Sequence, residues 1–135
     1  MGSKKFKAGD HVNESHMRSY YKTYNSEDPE ALAAFYHEDV EVSSATGVLH
    51  GIDAVLSTYR EIISNFYDKM TPSYIAIKNG QATVNIFDRF TAKCDVDDFM
   101  GQSFKTGDSF SLHLTAAYEF LDGKICKIEI SINNS

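Results

Sequence analysis

The sequence predicts an α+β domain in which a strongly curved antiparallel sheet wraps around three helices to form a cone. Three observations predict it. Short amphipathic segments fill the N-terminal half, almost everything after Thr71-Pro72 reads as strand, and Asn79-Gly80 and Asp122-Gly123 mark reversals between long apolar runs. Helices laid on the concave face of such a sheet leave an apolar pocket between the two layers.

A first helix is expected from about Asn13, because Met17, Tyr20, Tyr21 and Tyr24 recur at helical spacing before Asn25-Ser26 ends it. Asp28-Pro29 reads as an N-cap followed by proline in the first helical position, where the missing N–H costs nothing. The short second helix carries Leu32, Phe35 and Tyr36 on one side and stops at His37-Glu38-Asp39. Val40 and Val42 then alternate with Glu41 and Ser43 as a strand. Gly47 and Gly51 punctuate the passage to a third helix, Ile52 to about Met70, whose stripe is Ile52, Val55, Leu56, Tyr59, Ile63 and Phe66. Thr71-Pro72 is expected to terminate it.

The two hairpins fix which side chains look inward. A two-residue Asn79-Gly80 turn pairs Ile77 with Ala82 and Ile75 with Val84. For the last hairpin, a three-residue loop containing Leu121, with Gly123 as a bulge, pairs Tyr118 with Cys126, Ala116 with Ile128 and Leu114 with Ile130. The inner face is then Leu112, Leu114, Ala116, Tyr118, Ile128, Ile130 and Ile132. Ser111, His113, Thr115, Lys127 and Glu129 fall outside.

Bulk properties narrow the partners. The 135 residues suffice for one domain with its own core. Residues 1–12 are expected to form a flexible N-terminal arm and 13–132 a single domain. A net charge of −6 with dispersed Lys and Arg argues against nucleic acid. No run approaches the roughly 20 apolar residues of a membrane span, and the start lacks the apolar middle of a secretion signal. A cytoplasmic protein without membrane partners is expected, with Cys94 and Cys126 as small buried hydrophobes. No cofactor is expected. Asp95, Asp97 and Asp98 lack the Gly and terminal Glu of a calcium loop, and the histidines show no metal-ligand spacing.

Asp88 is the leading candidate for chemistry. Strand alternation puts it beside Val84, Ile86 and Phe90 on the pocket side, where desolvation raises a carboxyl pKa toward neutrality. The alternative is a structural carboxylate paired with Arg89, Arg60 or a backbone N–H. Tyr20, Tyr24, Tyr36, Tyr59 and Tyr118 either present hydroxyls to a ligand or pack as amphipathic core. Tyr24, Tyr36, Tyr59, Phe90, Leu114, Ala116, Tyr118 and Ile128 are the expected ligand-binding set for a small apolar, ring-containing molecule.

The order helix, helix, strand, helix, four strands resembles the nuclear transport factor 2-like superfamily, and within it the SnoaL-like polyketide cyclases and ketosteroid isomerases. The matching residues are Asp28 to Leu32, Phe35-Tyr36, Asp39-Val40, His50-Gly51, Phe99 to Gly101, Thr106-Gly107 and Asp122 to Ile125. The resemblance implies a cystatin-like α+β barrel that holds a ligand in its cone, and a homodimer packed through the outer sheet face. It maps the ketosteroid isomerase tyrosine onto Tyr20, the base onto Ser44 and the pocket acid onto Ala116; the cyclase histidine falls near Gln102. Neither Ser44 nor Ala116 can move a proton usefully in that chemistry, so the resemblance implies a cavity without the known catalytic sets. Three functions stand as expectations. The first is a small-molecule-binding protein. The second is an isomerase, cyclase, dehydratase or epoxide-hydrolase-type enzyme with Asp88 and Tyr20 as catalytic residues, and the third a dimerisation module with a filled core.

Overall fold

The computed structural model describes residues 12–133. Helix α1 spans Glu14–Tyr24 and α2 Pro29–Ala33; strands β1, Tyr36–Ser44, and β2, Gly47–His50, follow. After α3, Ile52–Asn65, come β3, Phe66–Lys78, β4, Gln81–Ala92, and the short β5, Val96–Phe99, and β6, Gln102–Phe104. Strands β7, Ser109–Leu121, and β8, Lys124–Ile132, complete the fold. Six strands form one sheet in the order β2-β1-β8-β7-β4-β3, while β5 and β6 form a separate two-stranded ribbon. The expected arm lies outside the described residues except for Val12, which is buried.

Local chemistry starts the first two helices as expected. The Asn13 side chain caps α1 by accepting from the His16 amide at 2.8 Å, and Asp28 caps α2 by accepting from Ala31 at 3.1 Å. Each such cap is worth about 1 kcal/mol. Met17, Tyr20, Tyr21 and Tyr24 are buried, as their helical spacing requires.

Several expectations need correction. Helix α3 ends at Asn65, not near Met70. Ser64 and Asn65 turn their side chains back onto the carbonyls of Arg60 and Glu61. The chain extends at Phe66, whose ring enters a cluster with Phe90, Phe99, Phe104 and Phe110. Strand β3 therefore starts well before Pro72, and it crosses that proline with a register shift between Pro72 and Tyr74. Tyr36 likewise belongs to the start of β1, not to α2.

The sheet is also not antiparallel throughout. Strand β1 runs parallel to β8, and the Ile125 amide donates to the Phe35 carbonyl at 2.8 Å where the pairing begins. The Asn79-Gly80 hairpin has the expected register, with Ile77 opposite Ala82 and Ile75 opposite Val84. The last hairpin does not. Asp122 and Gly123, both at positive φ (55° and 78°), make a two-residue turn with Leu121 opposite Lys124. Cys126 is then the extra residue of a bulge, and Tyr118 faces Ile128, Ala116 faces Ile130 and Leu114 faces Ile132. The shift from the expected register is two residues, so the inward set is unchanged. The thiols differ from expectation as well: Cys94 is exposed beyond the end of β4, and Cys126 is half-buried in the bulge.

Candidate functional site

Between the helices and the concave face lie two adjoining cavities of about 360 Å³ and about 210 Å³. Both are lined by Tyr24, Thr58, Met70, Leu114 and Ile130, so they are lobes of one cone. Of the expected ligand-binding set, Phe90 lines only the larger lobe. Tyr36, Tyr59, Ala116, Tyr118 and Ile128 line only the smaller, together with Tyr20. Tyr24 and Leu114 touch both.

The smaller lobe ends in hydrogen-bonded phenols. Tyr20 and Tyr36 share a hydrogen bond at 2.7 Å between their hydroxyls, and Tyr21 and Tyr118 share one at 2.6 Å. Burial holds the hydroxyls of Tyr20 and Tyr118 well above the usual phenol pKa, and those of Tyr21 and Tyr36 upward too. Tyr59 donates to the Tyr24 carbonyl at 2.6 Å, so its hydrogen is already spent inside the protein. Helical spacing marks Tyr21 only as part of the buried stripe; its hydroxyl pairing depends on a residue 97 positions away and has no local signature.

The larger lobe holds the carboxyl chemistry. Asp88 faces inward on β4 and is 2% exposed. Neither Arg89 nor Arg60 pairs with it: Arg89 lies on the opposite face of β4 and donates to Ser109 at 2.9 Å. Its neighbour is Asp68 on β3, 6% exposed, a residue that sequence reasoning misses by assigning it to the third helix. In the β3–β4 ladder Asp68 stands opposite Phe90 and Asp88 opposite Met70, so the two carboxyls lie diagonally on one face. Tyr24 donates to Asp68 Oδ2 at 2.8 Å.

Burial is the main cause pushing both carboxyls up. Asp88, hydrogen-bonded to Asp68 and repelled by its charge, is pushed up to about 10. Hydrogen bonds from Asp88 and Tyr24 partly offset the rise at Asp68. Each carboxyl also has one Oδ1 that is buried without an N–H or hydroxyl donor. A proton on Asp88 gives the pair one O–H donor, and among the described residues no other group supplies either Oδ1 with one. The arrangement therefore sets a carboxyl that holds its proton beside a second buried carboxyl in a mostly apolar wall.

Positions that the resemblance maps onto other family members carry little chemistry. Ser44 bonds locally to Thr46 at the end of β1, Ala116 is buried and Gln102 is exposed on β6. His113 lies outside the cone against Phe87. Asp95 and Asp98 fasten the β5–β6 region, accepting from Thr106 and from the Gly101 amide. Among the described residues no group of three or more His, Cys, Asp or Glu side chains is placed to hold a metal. Nor is any helix among them long and apolar enough to cross a membrane.

Three helices over a curved mixed sheet with an open cone define the nuclear transport factor 2-like fold. The sequence profile of the SnoaL-like domain family matches residues 17–128, and the chain belongs to that family. No curated protein matches it by sequence. A candidate polyketide cyclase from Xanthomonas campestris superposes with TM-score 0.74 at 18% identity, covering 87% of each chain. A nuclear transport factor 2-like protein of unknown function from Burkholderia pseudomallei gives TM-score 0.71 at 18% identity, over 95% of this chain and 92% of that one. An M. tuberculosis epoxide hydrolase gives TM-score 0.70 at 10% identity, over 87% and 79%. At these identities the likeness shows the fold alone.

Proposed function

We propose that the protein binds a small, largely apolar, ring-containing molecule in the cone, with the ligand's polar end against Asp68 and Asp88. The observation that carries this reading is the larger lobe itself. Its volume of about 360 Å³ falls within the usual range of ligand pockets, about 300–1,000 Å³. Its walls are mostly apolar, and the least exposed of its polar groups is a paired carboxyl. Titration with 2-naphthol, followed by the fluorescence of the naphthol and by thermal melting, tests it. Saturable binding that Leu114→Trp blocks, in a folded variant, is the expected result. Binding unchanged by the added bulk removes the cone as the site.

One observation favours a second reading, acid–base catalysis on that ligand. A protonated Asp88 beside a less perturbed Asp68 is the pairing of donor and base that proton transfer needs. Under this reading Asp88→Asn abolishes turnover of a cyclic epoxide or a β,γ-unsaturated ketone and leaves binding intact. Unchanged turnover takes Asp88 out of the chemistry.

We also propose that two copies pair through the outer sheet face in a reducing cytoplasm. Tyr67, Tyr74 and Phe87 are exposed there, with His113 packed on Phe87, which supports an apolar contact surface. Light scattering on the full chain, before and after Phe87→Glu, reads the mass directly. A monomer before the substitution overturns the pairing.

A further inference from the structure

We infer that the larger lobe takes a protonated amine on a compact ring skeleton, its ammonium hydrogen-bonded to Asp68 and Asp88. The inference rests on the cone-binding reading and assigns the ligand its polar group.

The charge inventory points one way. Four carboxyl side chains line this lobe: Asp68 and Asp88 within, and the exposed Glu61 and Asp98. Among the described residues no Lys, Arg or His lines either lobe. Lys93 is committed elsewhere, 2.8 Å from Glu27 and 2.6 Å from the Ile63 carbonyl, and Arg89 faces outward. A low-dielectric pocket with acids of one sign repels anions and concentrates cations.

Burying two carboxyls without a cation costs several kcal/mol in general, and the cost falls when a cation with hydrogen-bond donors arrives. Both Oδ1 atoms lack an N–H or hydroxyl donor, on side chains almost wholly shielded from solvent. A primary ammonium brings three donors, enough to satisfy both oxygens together. Tyr24, Phe66, Phe90 and Phe99 supply aromatic rings to the same lobe, surfaces that suit a cation as well as a ring. A divalent metal fits poorly, because two carboxylates and a phenol among Phe, Met, Ile and Leu fall short of its oxygen shell. An uncharged alcohol or ketone would engage the Asp88 proton but gain nothing from the acidic lining that Asp68 and Glu61 add to the lobe.

Protons balance simply. The amine enters as its ammonium form, and the carboxyl pair releases one proton to the buffer. The titratable groups that line the lobe with the pair are Tyr24 from α1, Glu61 from α3 and Asp98 from β5, while β7 and β8 contribute only uncharged residues. None of these adds a competing cation.

The test uses the full chain with 2-aminoindane and its neutral counterpart 2-indanol, titrated by calorimetry at pH 6 and pH 8. The expected result is that 2-aminoindane binds at least about tenfold more tightly than 2-indanol at pH 8. Its affinity should rise by up to about tenfold per pH unit, because binding expels a proton. Buffers of different ionisation enthalpy should report close to one proton released per amine. Asp88→Asn, which keeps the shape of the protonated acid, should lose both the pH dependence and the proton release. Equal or tighter binding of 2-indanol, without proton release, overturns the amine and leaves the cone reading standing. If neither compound binds, the amine inference falls, and if 2-naphthol is also unbound the cone reading falls with it.

Discussion

Asp68 and Asp88 lie diagonally on one face of the β3–β4 ladder, both buried, and among the described residues no cation lines the lobe beside them. The relationship has a thermodynamic sign opposite to that of an ordinary salt-bridged carboxylate. With Asp88 pushed up to about 10, the folded protein holds a proton that the unfolded chain releases near pH 4. The native state thus binds more protons between those limits, and stability falls as pH rises through the interval. Urea unfolding at pH 5, 7 and 9 should show this decline, at up to about 1.4 kcal/mol per pH unit. Asp88→Asn should flatten it and exceed the parent in stability at pH 9. Parallel curves for the two proteins would show that the proton is not held there.

The phenol pair Tyr21–Tyr118 makes a second expectation. Its hydroxyls meet at 2.6 Å in the core, so Tyr21→Phe leaves the Tyr118 hydroxyl short of a partner. A loss of about 1–3 kcal/mol is expected in chemical denaturation. The double variant with Tyr118→Phe should recover part of that loss, because no polar group is then stranded. Strictly additive losses would mean that the two hydroxyls do not interact.

His16 should titrate below its ordinary value. It packs against Phe35 and Phe120, with Nε2 buried and unpartnered, and burial lowers its pKa from 6.5. The unfolded chain therefore takes up this proton first on acidification. His16 contributes a loss of stability as pH falls through 6.5, opposite in direction to the Asp88 contribution. An NMR titration of the ring protons separates the two, and a midpoint at or above 6.5 would contradict the burial argument.

Much of this architecture is legible in residue spacing, and the exceptions share physical causes. The caps at Asn13 and Asp28 and the Asn79-Gly80 turn are local, so a few residues determine them. The start of β3 is hidden because Phe66 also fits the apolar stripe of α3, and because the inward position two residues on is the polar Asp68. The alternation Phe66, Asp68, Met70 against Tyr67, Lys69, Thr71 is the available signal. Missing it conceals half of the carboxyl pair. At the last hairpin, the two-residue turn and the bulge at Cys126 each move the register by one, and their sum of two is a shift that a rule based on inward and outward alternation cannot detect.

That hairpin gives a backbone prediction free of packing effects. Gly123 sits at φ 78°, and a Cβ there would meet nothing within 4 Å. Gly123→Ala should therefore cost only the left-handed strain, about 1–2 kcal/mol, with the cone unaltered. A much larger loss would indicate that the turn nucleates the β7–β8 pairing.

The carboxyl pair also depends on a residue that touches neither carboxyl in the hydrogen-bond network. Asn25, just past α1, donates from Nδ2 to the Met70 carbonyl at 2.9 Å and accepts the Met70 amide on Oδ1 at 2.8 Å. Met70 is the ladder partner of Asp88 and lies two residues from Asp68, so this clamp fixes β3 where the two acids meet. Asn25→Ala should destabilise the fold by about 1–3 kcal/mol through two unmatched backbone groups. It should also lower the pKa of Asp88, since a looser strand lets the carboxyls part and admits water. Carbon-13 titration of the Asp88 carboxyl reads that shift independently of stability. Asn25→Asp, which keeps the acceptor but loses the donor, should fall between the two. An unchanged Asp88 titration in a destabilised Asn25→Ala protein would reduce Asn25 to a structural clamp with no hold on the site.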